Sequence, residues 1–284
     1  MKKIPLVKPQ FNHQKLAQDF KRISQTGQLT RGEFLTRFEN QLKDYLKVKY
    51  VFATSSCTSA LHLALLAAEI GPSDEVLVSD FSFPATGNVV VQAGARPVFV
   101  DIDLETLCLN TDDLTKKIKM RGKKSKAIMV VQAFGYPANM SEIIKIARKN
   151  RLAVIEDAAC ALGSKHKNKF LGTWGDLGCF SFHPRKNITT GEGGAVVTNN
   201  SRLAQKIEIL RNHGGIKRNF QWDFVVNGFN YRLCELQAAL GAQQMSHLDK
   251  LTLGRQKIAR KYLRALRNIP GLILPYEPDR KSVV

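Results

Sequence analysis

Seven short runs along the chain are apolar and rich in β-branched residues: Val51–Thr54, Val76–Ser79, Pro97–Val100, Ala127–Ala133, Ala153–Glu156, Cys179–His183 and Ala195–Thr198. Near-continuous apolar runs of this length predict strands buried on both faces. Between many of them the period changes to that of a helix. Residues 59–71, SALHLALLAAEIG, are apolar almost all round and predict a buried helix stopped at Gly71-Pro72. Residues 141–150 offer Ser141 as N-cap and an apolar stripe of Ile143, Ile144, Ile146 and Ala147. Residues 201–215 open at a Ser cap and end at Gly214. From Tyr231 the helical pattern persists to Arg267, and the chain closes on IPGLILPYEPDRKSVV. This alternation predicts the α/β class, with a mostly parallel sheet covered by helices on both faces. In such sheets ligands collect at the carboxyl ends of the strands.

The chain of 284 residues is 44% hydrophobic, enough for one large domain and part of another. The expected division is a large domain over 1–245 with an N-terminal arm. Residues 246–284 would then be a linking helix and the start of a small C-terminal domain that is mostly missing. No apolar run approaches the ~18 residues of a membrane span. The N-terminus has two lysines but no apolar core of a secretory signal. Five scattered cysteines, with no C-x-x-C pair, predict a reduced, cytoplasmic protein without a metal site. The net charge is +19, concentrated at 116–126, 165–169 and from Lys250 to Lys281. No RNP-type aromatic strand or zinc finger accompanies it, which argues against a nucleic-acid role. A basic surface that draws in anionic ligands is the simpler reading.

Four features carry chemistry. Ser55, Ser56, Cys57, Thr58 and Ser59 stand between a strand and a buried helix. Small residues there leave N–H groups and hydroxyls to hold a phosphate, or form an ordinary N-cap cluster. Asp157 follows the run Ala153–Ile155, where a buried carboxylate needs a partner. That partner is either structural or a protonated heterocyclic nitrogen. Lys186 follows Asp157 by 29 residues in SFHPRKNITTGEGG. A lysine in a tight, glycine-lined place can be desolvated into a nucleophilic amine. Ser181, on the preceding strand, adds a hydroxyl. Phe83, in a loop after Val76–Ser79, is a core residue or a stacking surface for a flat ring. A phosphate cradle, a carboxylate, an imine-forming lysine and a stacking aromatic together match the demands of pyridoxal 5'-phosphate.

With these motifs in place, the chain resembles the DegT/DnrJ/EryC1/StrS family of sugar-nucleotide aminotransferases, pyridoxal-phosphate enzymes of fold type I (aspartate aminotransferase-like). The likeness runs through SSCTSALHLAL, EDAACALGS, SFHPRKNITTGEGG and NGFNYRLCELQAALGAQQM, nearly the whole chain. It implies that Lys186 is the catalytic, imine-forming residue and that Asp157 keeps the ring nitrogen protonated. Phe83 would stack on the ring. Cys57, Thr58 and Ser181 would bind the phosphate. Asn230 would reach the phosphate in a neighbouring subunit, so a homodimer with shared active sites follows. Two positions depart from many relatives: Cys57 stands in place of Gly, and Cys160 in place of Gln or His beside the cofactor. Lys186 also sets the chain apart from the family's dehydratase branch, which carries His there. The implied reaction transfers an amino group from L-glutamate to a nucleotide-linked keto sugar. C4 amination of a 4-keto-6-deoxyhexose, as in perosamine synthesis, is favoured over C3 amination. The product would serve lipopolysaccharide or other surface glycans. Two alternatives stand beside this. One is a truncated, catalytically weak or inactive cofactor-binding homologue, with apolar residues from Ile269 to Leu274 left bare. The other is a regulatory or nucleic-acid-binding protein.

Overall fold

The structure is a computed structural model that describes residues 3–275 apart from 6 and 220. In chain order its elements are α1 (His13–Thr26), α2 (Glu33–Leu46), β1 (Tyr50–Thr54), α3 (Cys57–Ala67), β2 (Glu75–Ser79), α4 (Pro84–Gln92) and β3 (Arg96–Val100). Then come α5 (Thr111–Arg121), β4 (Ser125–Val131), α6 (Met140–Asn150), β5 (Ala153–Asp157), β6 (Lys165–His166), β7 (Lys169–Phe170), β8 (Leu177–Ser181) and β9 (Gly194–Thr198). The remainder is α7 (Ser201–Arg211), β10 (Gly215–Arg218), β11 (Gln221–Phe224), α8 (Glu235–Met245) and α9 (Leu248–Leu266).

All seven apolar runs become strands of one sheet, in the order β1-β9-β8-β5-β4-β2-β3. Pairing is parallel from β8 to β3, and only β9 runs against its neighbours. Alternate residues feed opposite faces. Val76, Val78, Ala127, Met129, Ile155 and Cys179 pack under α3, α4 and α7. On the other face Leu77, Ile128, Val130 and Val154 meet α5 and α6, while Ala53, Phe180, Ala195 and Val197 meet α2 and α8. The α/β class with helices on both faces is therefore as expected.

Several boundaries differ from expectation, each for a local reason. The helix expected at Ser141 is capped by Asn139, whose side chain accepts from Glu142 N. The one expected at a Ser cap is capped by Asn200, which accepts from Arg202 N and Leu203 N. In both, Asn is the residue whose oxygen reaches the free donors of the first turn. The buried helix ends at Ala67, before Gly71. The run to Ala133 stops pairing at Val131, because Phe134 takes a left-handed φ of 52° in a tight turn. The helix expected from Tyr231 starts only at Glu235 and breaks at Ser246-His247. Residues 230–234 are drawn out instead by bridges to Asn212, Thr54 and Thr30. The break falls where a domain boundary was expected, and residues 276–284 of the expected second segment lie outside the described residues. Ile269, Leu272 and Ile273 are exposed, as are Leu253, Ile258 and Tyr262 on α9. Among the described residues no helix is long and apolar enough to cross a membrane.

Candidate active site

The parallel strands end along one edge of the sheet, and most of the chemistry-bearing residues gather there. Cys57 and Thr58 form the first turn of α3, directly after β1. Ser56 caps that helix by accepting from Ser59 N, and the Ser59 hydroxyl returns a contact to Ser56 N. The two serines thus satisfy each other. The N–H groups of Cys57 and Thr58 remain without an acceptor among the described residues, at the positive end of an apolar, buried helix. Gly194 makes this arrangement possible. A Cβ there would stand 2.5 Å from Cys57 N and 2.6 Å from Ser56 O, so only glycine lets β9 pass so close to the helix start. Phosphate-sized anions suit such a cradle.

Asp157 is the last residue of β5 and is buried. Its Oδ2 accepts from the Thr86 hydroxyl at 2.8 Å and its Oδ1 from Ala159 N at 3.2 Å. Among the described residues no ion pair reaches it. Burial pushes its carboxyl above the ordinary value. The Thr86 hydroxyl, the Ala159 N–H and the nearby Lys186 charge pull it back only in part. A buried carboxylate with two neutral donors retains acceptor capacity for a cationic N–H. Thr86, on α4, was not among the residues singled out in the sequence. Its place three residues after Phe83, in FPATGN, was the only signal.

Lys186 follows β8 in a tight loop. Its N–H donates to His183 O, and its carbonyl accepts from Arg255 on α9, both at 2.9 Å. Nζ reaches Cys160 Sγ at 2.9 Å. Cys160 lies just past Asp157, and Asn187 ties the two segments together by donating to Leu162 O at 2.8 Å. Ser181 is buried at the end of β8. Burial, then the neighbouring Asp157, push the Cys57 thiol well above its ordinary value. Cys179, Lys186 and Cys160 also act electrostatically on that thiol, which places Cys57, Asp157, Cys160 and Lys186 in one cluster. Phe83 is the N-cap residue of α4 and is 76% exposed, so it is not a core residue. Asn230 is exposed and bridged to Asn212. Its neighbour Tyr231 runs beside the cradle, accepting from Ser55 N at 2.9 Å.

A cavity of about 400 Å³ opens between residues 7–10, the Lys186 loop and α9. Lys8, Arg185, Lys186 and Arg255 line it, and among the described residues no acidic side chain does.

The chain spans 62% to 73% of the length of three proteins it resembles. GDP-perosamine synthase of Escherichia coli O157:H7 is 37% identical over 95% of this chain and 73% of its own. UDP-4-amino-4,6-dideoxy-N-acetyl-beta-L-altrosamine transaminase of Campylobacter jejuni is 42% identical over 82% of this chain and 62% of its own. The solved structure of DesV of S. venezuelae, in complex with a ketimine intermediate, is 31% identical with a TM-score of 0.87, covering 94% of this chain and 71% of that one. The family model described as the DegT/DnrJ/EryC1/StrS aminotransferase family matches residues 11–284. The chain belongs to that family.

Proposed function

We propose that the protein transfers an amino group from L-glutamate to a nucleotide-linked keto sugar, with pyridoxal 5'-phosphate as cofactor. The observation that carries this reading is Asp157, a buried carboxylate with two neutral hydrogen bonds and no ion pair among the described residues. The residues fit the cofactor. The free N–H groups of Cys57 and Thr58, with the Thr58 and Ser181 hydroxyls, would bind its phosphate. Asp157 would hold a proton on the ring nitrogen, and Phe83 would cover a ring face beside Cys160. When bound, the cofactor supplies an electron sink for the carbanion at the amino donor's Cα. Lys186 Nζ would hold the cofactor and would serve as the acid and base that carries a proton away from the amino donor's Cα. In the second half-reaction it would move a proton in the opposite sense. Arg255 holds the Lys186 carbonyl and Asn187 holds Leu162 O, which fixes the loop that carries that amine. The basic cavity beside Lys186 suits a diphosphate.

C4 amination of a 4-keto-6-deoxyhexose, destined for surface glycan, is the preferred reaction, and C3 amination is the alternative. We further propose a cytoplasmic homodimer in which Asn230 reaches the partner's cofactor phosphate. Residues 1–245 would form the large domain, with 246–284 leading into a second one. A second reading is a homologue that binds cofactor but turns over weakly.

The test begins with purified protein and added pyridoxal 5'-phosphate. A visible absorbance band that disappears in Lys186→Ala is expected. No band from a folded sample overturns the reading. L-glutamate should then bleach the band, and candidate keto sugar nucleotides should restore it. Bleaching without restoration by any sugar selects the weak homologue.

A further inference from the structure

Cys160 stands where the cofactor-facing segment after β5 meets the Lys186 loop, and both residues are partly exposed. Their reactive atoms are 2.9 Å apart. This contact is built rather than incidental. Asn187 binds Leu162 O, so the segment bearing the thiol and the loop bearing the amine are tied within two residues of each partner. Arg255 fixes the Lys186 carbonyl from α9. Among the described residues neither Lys186 Nζ nor Cys160 Sγ has another hydrogen-bond partner. The chemistry assigned to Lys186 does not need a thiol beside it.

We propose that Cys160 and Lys186 form an oxidisable pair, a covalent modification site at which a small peroxide joins sulfur to nitrogen. In the first step the Cys160 thiol takes one oxygen from hydrogen peroxide and becomes a sulfenic acid, and the peroxide is reduced to water. In the second the Lys186 amine attacks that sulfur. The S–N bond forms, the S–O bond breaks, and the departing hydroxide takes the amine proton and leaves as water. Sulfur is oxidised, and the protein loses two hydrogens in all. Two thiols reverse the link, regenerating Cys160 and Lys186 and leaving a disulfide between themselves. The link consumes the amine, so the linked protein takes up no cofactor. The modification needs only the pair, whereas this consequence rests on the role proposed above for Lys186.

The experiment treats cofactor-free protein with hydrogen peroxide, alkylates free thiols and maps the peptides without reduction. The expected product joins a Cys160 peptide to a Lys186 peptide, two hydrogens lighter than their sum. It vanishes in Lys186→Ala, persists in Cys57→Ser and is removed by dithiothreitol. Only oxygen addition at Cys160, or a Cys57–Cys160 disulfide, overturns the proposal. The map of the unsubstituted protein decides this even if a variant fails to fold. Uptake of pyridoxal 5'-phosphate is then read by absorbance, with loss expected after oxidation and recovery after dithiothreitol. Protein loaded with cofactor beforehand should resist cross-linking. If it links as fast as the free protein, the cofactor role of Lys186 fails while the modification stands.

Discussion

Glu156 and Asp157 are consecutive buried carboxylates at the end of one strand, and their surroundings are opposite in kind. The alternation of the strand sends Glu156 to the face of α5 and α6, and Asp157 to the face of α3 and α4. Glu156 Oε1 accepts from Trp174 N at 2.6 Å and Gly175 N at 2.8 Å. Its Oε2 accepts from Gln132 Nε2 at 2.7 Å and Gly172 N at 2.8 Å. Asp157 receives two donors. Burial pushes both carboxyls up. For Glu156, however, every neighbour is a donor, and a protonated carboxyl would aim its own hydrogen at one of them. Glu156 is complete as folded, a clamp on the 172–175 turn. Asp157 is incomplete. The count of donors, more than burial, separates a carboxylate whose acceptor capacity is used up by the fold from one that keeps some.

The comparison breaks most sharply under the same change made at both positions. Glu156→Gln turns an NH₂ toward two backbone or side-chain donors whichever way the amide lies. Leaving them buried and unpaired should cost about 3 kcal/mol or more of folding stability, read by urea denaturation. A loss below about 1 kcal/mol would mean the clamp is not structural. Asp157→Asn, one residue along, keeps an acceptor for Thr86 or Ala159. It should change folding stability by less than about 1 kcal/mol, within the range of one neutral hydrogen bond. If Asp157 has the role proposed above, loss of its charge should instead slow amine transfer by about a hundredfold or more. Equal losses of stability in the two variants would erase the distinction.

Much of this was legible in the sequence, and what was not has a common cause. The seven strands of the sheet declared themselves because burial on both faces demands unbroken apolar runs. The placing of Cys57, Asp157, Ser181 and Lys186 at or just beyond strand ends was legible too, because the strands themselves were. The strand pairs β6–β7 and β10–β11 gave no such signal. The first is two residues a side, and the second leaves Trp222 and Phe224 exposed. Contacts between distant residues were silent too. The start of α2 is capped by Glu235, which accepts from Gly32, Phe34 and Leu35 N across about 200 residues of chain. Thr86 meets Asp157 across 71 residues, and Lys186 meets Cys160 across 26. Local pattern carries no record of such pairings, so the four donors around Glu156 and the two around Asp157 could not be read before the structure placed them.

A smaller effect sharpens the comparison through pH. The Asp157 carboxyl is raised above its ordinary 3.8, chiefly by burial, with Thr86, Ala159 and Lys186 opposing. The folded chain therefore holds this proton more tightly than the unfolded chain does. The stability that Asp157 contributes is full below the unfolded value and is lost as pH rises through the folded one. Asp157→Asn has no such titration. The stability of the unsubstituted protein minus that of Asp157→Asn should thus fall as pH is raised from the ordinary carboxylate value, measured on cofactor-free protein by urea denaturation at stepped pH. A cationic ring nitrogen opposite Asp157 would favour the charged form and draw the folded value down. Saturating pyridoxal 5'-phosphate should accordingly flatten the fall. If the difference is flat without cofactor, the protein already compensates the Asp157 charge, and Asp157 is a structural carboxylate like its neighbour. If it falls equally with and without cofactor, Asp157 does not face the ring nitrogen.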